Sequence, residues 1–145
     1  MDEFEIYELV CPHVFLAHGE KAWKFADPRL IKWLQWFRSA IDRPVIINDY
    51  GLGYKGKLTQ RGYRCNICSL VKDKTSANLL YLSAHTRFQA VDFNVQGMLD
   101  EEVRQWIERN KNQMPLNIRV ERDTTGWVHV DVATDSFEKI IYFNG

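Results

Sequence analysis

Apolar residues recur at intervals of four, three and four after Asp27-Pro28, which places them on one face of an α-helix. Asp27 is a suitable N-cap and Pro28 fits the first helical turn. Arg43-Pro44 is expected to end this helix, because proline cannot continue the backbone hydrogen-bond pattern. The residues predicted to face the core are Leu30, Leu34, Phe37 and Ile41.

A second helix is predicted to begin at Asp100, where three acidic residues in succession complement the positive N-terminal end of a helix. It is expected to end before Met114-Pro115. Its buried side chains are predicted to be Val103, Trp106 and Ile107.

Short apolar or alternating runs predict the strands. Residues 45–47 form a short apolar run, and apolar and polar side chains alternate in residues 90–95. Turn-forming residues 123–126 separate two of the later runs. The strand-like runs after the second helix are residues 116–121, 127–133 and 139–143. This order predicts an α+β fold in which a small antiparallel sheet packs with helices.

The composition is that of one globular domain spanning residues 1–145. Nineteen basic and nineteen acidic residues cancel, which argues against nucleic acid as a partner, and we expect a monomer. No apolar run is long enough for a membrane span. The acidic residues 1–5 do not resemble a secretory signal, so we expect a cytoplasmic protein.

Residues 49–62 are punctuated by glycines, which predict a long loop or a loose hairpin. Local charge is positive from this segment to Lys74. The basic side chains form either ordinary solvated surface or a rim that attracts a substrate carboxylate. The glycines are Gly51, Gly53, Gly56 and Gly62, and the basic residues are Lys55, Lys57, Arg61, Arg64, Lys72 and Lys74.

Two histidine segments, residues 83–92 and 127–131, carry the clearest candidate chemistry. A catalytic zinc ion takes three protein ligands from histidine and carboxylate and leaves one position for water. His85, Asp92 and His129 form such a set, and alternation places Asp92 and His129 on the polar faces of their strands. By spacing alone, a solvated histidine and a strand-edge aspartate remain the alternative.

These segments resemble the signature of the zinc D-Ala-D-Ala carboxypeptidases and dipeptidases and of the phage L-alanyl-D-glutamate endopeptidases. That signature reads S-x-H-x-x-G-x-A-x-D, followed by a Trp/Phe-x-H-x-D strand. Arg61-Gly62-Tyr63-Arg64 is similar to the S-G-Y-R segment of the same family, and the resemblance covers roughly residues 27–143. The residues that match the two histidine motifs are Ser83, His85, Ala90, Asp92, Trp127, His129 and Asp131.

The resemblance implies a hedgehog/DD-peptidase-like fold and a zinc peptidase that cleaves peptidoglycan stem peptides. Such an enzyme would be either cytoplasmic or phage-borne. It implies that His85, Asp92 and His129 bind the zinc ion. Arg64 would bind a substrate carboxylate or the developing oxyanion, with Arg61 as its competitor. Residues expected to contact the substrate or to support the metal ligands are Ser83, Arg61, Trp127 and Asp131.

Arg61 replaces the serine of the S-G-Y-R segment, and two further departures from the family pattern bear on the chemistry. Phe88 stands where the motif has glycine, so either the backbone differs there or the pocket beside the metal is partly filled. Gly126 stands where many members carry the catalytic acid, three residues before the second histidine. Glycine cannot transfer protons, so another residue must do so or the protein is not an enzyme.

Glu121 is the candidate for proton transfer. If Glu121 lies opposite Trp127 in a hairpin, Glu121 and His129 share the polar face of the sheet. The alternative is a solvent-exposed Glu121 paired with Arg119 or Arg122. Asp123 and Asp131 are the competing acids, although Asp131 more naturally orients a ligand.

Cys65-Asn66-Ile67-Cys68 has the spacing of a zinc-chelating loop, and Cys11 and His13 complete a possible structural set of four ligands. Incidental free thiols are the alternative. A thioredoxin-like role is not expected, because the pair lacks a βαβ context.

Two other classes of function remain open. One is a catalytically inactive cell-wall or metal-binding module of the same fold, favoured by Phe88 and Gly126. The other is a zinc-ribbon-like adaptor that binds nucleic acid through the cysteine cluster and the basic loop.

Overall fold

The computed structural model describes residues 4–52 and 56–145. Some residues used in the sequence predictions lie outside the described residues. They are Gly53 and Lys55 of the predicted loop and residues 1–3 of the acidic N-terminus. Within them the α-helices are α1 (Ile6–Leu9), α2 (Pro12–His18), α3 (Pro28–Ile41), α4 (Ser69–Ser76) and α5 (Asp100–Arg109). The strands in the same part of the chain are β1 (Val45–Ile46), β2 (Ala90–Val95), β3 (Ile118–Glu121), β4 (Val128–Asp131) and β5 (Ile140–Phe143).

The strands form one mixed sheet in the order β1-β2-β4-β3-β5. The pairs β1–β2, β2–β4 and β3–β4 are antiparallel, whereas β5 pairs parallel to β3. The α+β class is therefore as predicted, but the expectation of a purely antiparallel sheet is wrong at its last strand. Strands β2 and β3 already pair with the two edges of β4, so β5 pairs with the free edge of β3.

Helix α3 begins and ends where the sequence predicted. The Asp27 side chain accepts a hydrogen bond from the Arg29 amide at 2.9 Å, and Asp42 after the last turn is left-handed with φ of 52°. The apolar face of α3 is buried, and Phe37 contacts Phe93 of β2 with ring centroids 5.2 Å apart. Helix α3 thus covers the face of the sheet opposite to the polar residues of β2.

The N-terminal segment, residues 4–18, packs against residues 61–65, and this packing was not predicted from the sequence. Leu9, Val10 and Cys11 are fully buried there. The Tyr63 amide donates to the Leu9 carbonyl at 2.8 Å, and the Cys11 amide donates to the Tyr63 carbonyl at 3.1 Å. Gly62 is required by this close approach, because a Cβ atom there would lie 2.3 Å from the Leu9 carbonyl oxygen.

No helix in the described part of the chain combines the length and the apolar character that a membrane crossing needs.

Candidate metal centre

Asp92 and His129 lie directly opposite each other on adjacent strands of the sheet. The register of β2 and β4 pairs these two residues, and their side chains point to the same face. His129 Nδ1 lies 2.8 Å from Asp92 Oδ1, and both residues are 7% exposed. The sheet itself therefore holds one imidazole against one carboxylate.

His85 reaches the same carboxylate from a 3₁₀ turn, Ala84–Arg87, which precedes β2. Its Nε2 lies 3.3 Å from Asp92 Oδ1, and its Nδ1 lies 2.9 Å from the Gly62 carbonyl oxygen. A carbonyl can only accept, so Nδ1 is the nitrogen that carries the proton. The lone pair of a neutral His85 then faces Asp92 Oδ1, and a cation between these two acceptors would satisfy both.

Asp131 orients His129 from its other side. His129 Nε2 lies 2.8 Å from Asp131 Oδ2, and Arg119 donates two hydrogen bonds to the Asp131 carboxylate, at 2.8 and 2.9 Å. Asp131 is fully buried. A carboxylate that holds the non-coordinating nitrogen of a histidine is a common support for a metal ligand.

The charges of this cluster favour two carboxylates and a positive group between them. Burial lowers the pKa of His129, but its hydrogen bonds to Asp131 and Asp92 outweigh burial and raise that pKa to about 9. Burial raises the pKa of Asp92, yet the hydrogen bonds of His129 and His85 hold it well below its usual range. A proton on His129 therefore occupies the place that a metal cation would take at Nδ1.

The three predicted ligands come together in the structure. One ligand atom each from His85, Asp92 and His129 lies within 4.8 Å of the other two, and all three residues are buried. Two imidazole nitrogens and one carboxylate oxygen form a donor set that zinc accepts, with a further position left for water. The residues therefore fit a metal ion.

Glu121 lies on the same face as these ligands, but in a different register from the one predicted. Arg119 pairs with Asp131 and Val120 with Val130, so Glu121 continues the ladder opposite His129 rather than Trp127. The predicted hairpin register is wrong by two residues, and the predicted face is right because side chains alternate with period two.

The surroundings of Glu121 raise the pKa of its carboxyl group above the ordinary value. Burial raises its pKa, and the charges of Asp123 and Asp92 add to burial and outweigh the opposing effects of His129 and His85. Among the described residues, neither Arg119 nor Arg122 forms an ion pair with Glu121, since Arg119 pairs with Asp131. Gly145 lies against the Glu121 carboxylate.

Phe88 keeps a left-handed backbone, with φ of 55°. This is the conformation that glycine adopts without strain. Its ring is 1% exposed and stacks on Tyr63 with centroids 5.1 Å apart. The bulky side chain therefore packs into the core, which argues against the alternative that it partly fills the pocket beside the metal.

Gly126 lies in the β3–β4 connection with φ of 98°. Its amide donates to Asp100 Oδ2 at 2.6 Å, and its carbonyl accepts from Asn94 Nδ2 at 2.9 Å. The position where the family resemblance implied a catalytic acid is thus a turn tied by its backbone to α5 and β2. No side chain is available there for proton transfer.

Arg64 and Arg61 line an open cleft of about 280 Å³ beside Asp92. Arg64 Nη2 donates to Asp92 Oδ2 at 3.2 Å and Nη1 to the Tyr81 hydroxyl at 3.2 Å, so Arg64 fixes the second carboxylate oxygen. Arg61 Nη1 donates to Asn94 Oδ1 at 2.6 Å. The other residues that line the cleft are Lys57, Leu58, Thr59, Gln60, Leu70, Asp92 and Trp127.

Ser83 lies just before the His85 turn rather than among the residues that line this cleft. Its Oγ atom is buried and has no hydrogen-bond partner among the described residues. The predicted contact of Ser83 with substrate therefore stays a prediction.

The cysteines and His13 form a second cluster. One ligand atom each from Cys11, His13, Cys65 and Cys68 lies within 4.8 Å of the others. Cys65 Sγ lies 3.4 Å from His13 Nδ1 and 3.9 Å from Cys68 Sγ. The pKa of Cys11 is lowered to about 4, mainly because the Cys68 thiol donates a hydrogen bond to the Cys11 sulfur. Burial raises this pKa, but hydrogen bonds from backbone amides add to the lowering. The cluster could bind a metal ion.

The Gly62 carbonyl, which orients His85, was not among the predicted functional groups. Its position inside the Arg61-Gly62-Tyr63-Arg64 segment was the available signal, but a backbone acceptor carries no side-chain signature.

Comparisons with known protein families, with curated proteins and with solved structures found no match. The family resemblance of the histidine segments therefore remains a proposal.

Proposed function

We propose that this protein is a zinc-dependent peptidase that acts on peptidoglycan stem peptides. The observation that carries the proposal is the convergence of His85 Nε2 and His129 Nδ1 on Asp92 Oδ1, at 3.3 and 2.8 Å. Both histidines have their other nitrogen engaged by an acceptor, as metal-bound histidines usually do. The resemblance to zinc carboxypeptidases and endopeptidases of the cell wall supports the choice of reaction.

The three ligands leave room for reactants. A zinc ion bound by them would polarise the scissile carbonyl and acidify a water molecule. The two strands hold Asp92 and His129 at fixed separation, and the Gly62 carbonyl fixes the ring of His85. This rigidity keeps the ligand geometry constant while a peptide enters from the open cleft.

Glu121 is the residue proposed to move the proton. Extended by one residue past the Val120–Val130 pair, the β3–β4 register has Glu121 opposite His129, and Cβ atoms of opposed residues lie roughly 5 Å apart. From there a glutamate carboxylate would reach a water molecule at the metal position. Its raised pKa brings the carboxyl group closer to neutral pH, where a general base can also act as an acid. Glu121 takes a proton from the attacking water and passes it to the leaving amine nitrogen.

The cleft supports an anionic substrate. Lys57, Arg61 and Arg64 line it, and Asp92 is the acidic residue among its lining side chains. A peptide with a free carboxylate would place that group against these cations. Because Arg64 already holds Asp92, Arg61 is the better candidate to bind the substrate carboxylate, and Arg64 positions the ligand.

A metal-binding module without hydrolytic activity is the second candidate. Gly126 favours it, because the family's usual position for the acid carries no side chain.

The deciding experiment is mass spectrometry of purified muropeptides incubated with zinc-loaded protein. We expect loss of a terminal residue or scission within the stem peptide, abolished by a chelator and restored by added zinc. His85→Ala is the matched inactive control. Stoichiometric zinc with intact muropeptides at long incubation would contradict the peptidase and favour the inactive module.

A further inference from the structure

Residues 61–65 connect the two clusters of metal-ligating side chains. On one side, the Gly62 carbonyl orients His85 and the Arg64 amide donates to the His85 carbonyl at 3.1 Å. On the other side, Tyr63 pairs with the N-terminal segment and Cys65 belongs to the cysteine cluster. Any force that fixes Cys65 therefore also fixes the groups that orient His85.

The cysteine cluster is assembled from two distant parts of the chain. Cys11 and His13 lie at the start of α2, whereas Cys65 and Cys68 flank the turn before α4. The Ile67 amide points at Cys65 Sγ at 3.4 Å, and the Cys68 amide donates to the Cys65 carbonyl at 3.3 Å. Such a turn brings the sulfur atoms of Cys65 and Cys68 close enough together to bind the same metal ion.

The geometry points to a second, structural metal site in which Cys11, His13, Cys65 and Cys68 bind one zinc-class ion. Three thiolates and one imidazole are a closed tetrahedral set that leaves no position for substrate. Binding releases the thiol protons to solvent. The ion joins the N-terminal segment to residues 61–65 and so holds the Gly62 carbonyl against His85.

A disulfide explains the cluster less well. The three cysteines are free, and a Cys65–Cys68 bond would leave Cys11 and His13 without a role. Only a shared cation uses all four side chains. This inference does not depend on the peptidase proposal, because the site contains none of the residues assigned to hydrolysis.

The test removes the first site so that the second is measured alone. In a His85→Ala/His129→Ala protein we expect one equivalent of cobalt(II), with the near-ultraviolet charge-transfer band of thiolate ligands and the intense visible bands of tetrahedral cobalt. Adding Cys65→Ser or His13→Ala should abolish that spectrum. Asn66→Ser and His18→Ala are matched exposed controls from the same turn and the same helix, and they should retain it.

Three outcomes would overturn the site: no cobalt in the double variant, a cobalt spectrum without thiolate charge transfer, or a spectrum unchanged by both Cys65→Ser and His13→Ala. Circular dichroism of each variant shows that it is folded. If a variant fails to fold, thiol labelling of the double variant decides: all three thiols should resist the reagent with zinc and react after chelation. Equal labelling rates would also overturn the proposal.

The joining role has its own readout, hydrogen exchange of the Cys11, Tyr63 and Arg64 amides. These amides bond the N-terminal segment and His85 to residues 61–65. In the double variant, zinc should slow their exchange at least tenfold relative to the metal-free protein. Unchanged exchange in a protein that binds zinc would leave the site in place and contradict the joining role.

Discussion

His129 lies directly opposite Asp92 on the neighbouring strand, with Nδ1 2.8 Å from Asp92 Oδ1. The β3 register adds Glu121 on the far side of His129, so three strands present a carboxylate, an imidazole and a carboxylate in one row. Because the row runs along the hydrogen-bonding direction of the sheet, its spacing is set by the backbone rather than by loops. A fixed row of this kind suits a metal ligand set with an adjacent base.

Removal of either histidine should remove one metal ion. We expect His85→Ala and His129→Ala proteins to contain one zinc ion fewer per chain than the parent protein, because a two-ligand remnant does not hold zinc. Elemental analysis after dialysis against trace zinc measures this. His18→Ala, an exposed histidine on α2, should leave the zinc content unchanged. Parental zinc content in both variants would refute the ligand assignment.

Glu121→Gln should separate metal binding from turnover. The amide keeps the shape of the side chain but removes the base, so zinc content should persist while muropeptide hydrolysis falls about 10²–10⁴-fold. Glu138→Gln, an exposed glutamate, is the control. Near-parental hydrolysis in Glu121→Gln, combined with a loss in Asp123→Asn or in zinc-saturated Asp131→Asn, would transfer the role to that aspartate.

Asp131→Asn should weaken zinc binding without removing a ligand. An amide has only one acceptor oxygen and no charge, so it can no longer accept hydrogen bonds from both His129 and Arg119 as the carboxylate does. We therefore expect a loss of about 10–100-fold in zinc affinity. Competition with a chromophoric chelator measures this change. Asp135→Asn, four residues later and exposed, should keep the parental affinity. Equal affinities for the two variants would mean that Asp131 does not support the metal ligand.

Phe88→Gly should be at least as stable as Phe88→Ala. Loss of the buried ring costs about 3–5 kcal/mol in either variant. In the left-handed region alanine carries about 1–2 kcal/mol of strain that glycine lacks. In a helix or a strand an alanine variant is usually more stable than a glycine variant, and here we expect the reverse. Urea unfolding compares them, with the exposed Phe137→Ala as a control expected to be neutral. A less stable glycine variant would contradict the left-handed backbone.

The contribution of Asp27 to stability should disappear in acid. The Arg29 side chain, helped by the Arg29 amide and Gln89 and opposed by burial, lowers the pKa of Asp27 to about 2. Folding thus favours the carboxylate, and its stabilisation is present above the unfolded pKa of about 3.9 and is lost as the pH falls towards the folded value.

At neutral pH, Asp27→Ala should therefore cost about 1 kcal/mol of unfolding free energy through loss of the helix cap. The difference from the parent protein should shrink between about pH 4 and about pH 2. Denaturant unfolding across this range measures the effect, and the exposed Asp73→Ala serves as the control. A difference that stays constant down to pH 2 would exclude the titration of Asp27 as its source.

The polar face of the sheet could be predicted because alternation is a local property. Asp92 and His129 were placed correctly from period-two patterns alone, and Glu121 kept its face although its register was wrong. Register depends on the turn, and here the Thr124 hydroxyl donates to the Trp127 carbonyl at 2.6 Å and lengthens the connection. The hydrophobic pattern contains no information about that bond.

The N-terminal helices could not be predicted from the sequence for a different reason, and the cysteine cluster could be proposed only beside the alternative of incidental free thiols. Helices α1 and α2 span four and seven residues, too short to show an apolar period. The cysteine types and the spacing of Cys65 and Cys68 were readable, but their proximity to Cys11 depends on the Val10–Tyr63 bridge. A pairing between segments so far apart in the chain is decided by the whole core.

The strand order also determines when the His85 site can exist. Its ligands come from a turn, from β2 and from β4, and β4 lies between β2 and β3 in the finished sheet. A growing chain that has not yet reached His129 carries no such site, so a metal ion cannot guide its early folding. An ion bound there would stabilise only the completed sheet, by about 2.7 kcal/mol when free metal exceeds Kd a hundredfold. Metal supply would then govern how long the native protein persists rather than how quickly it forms.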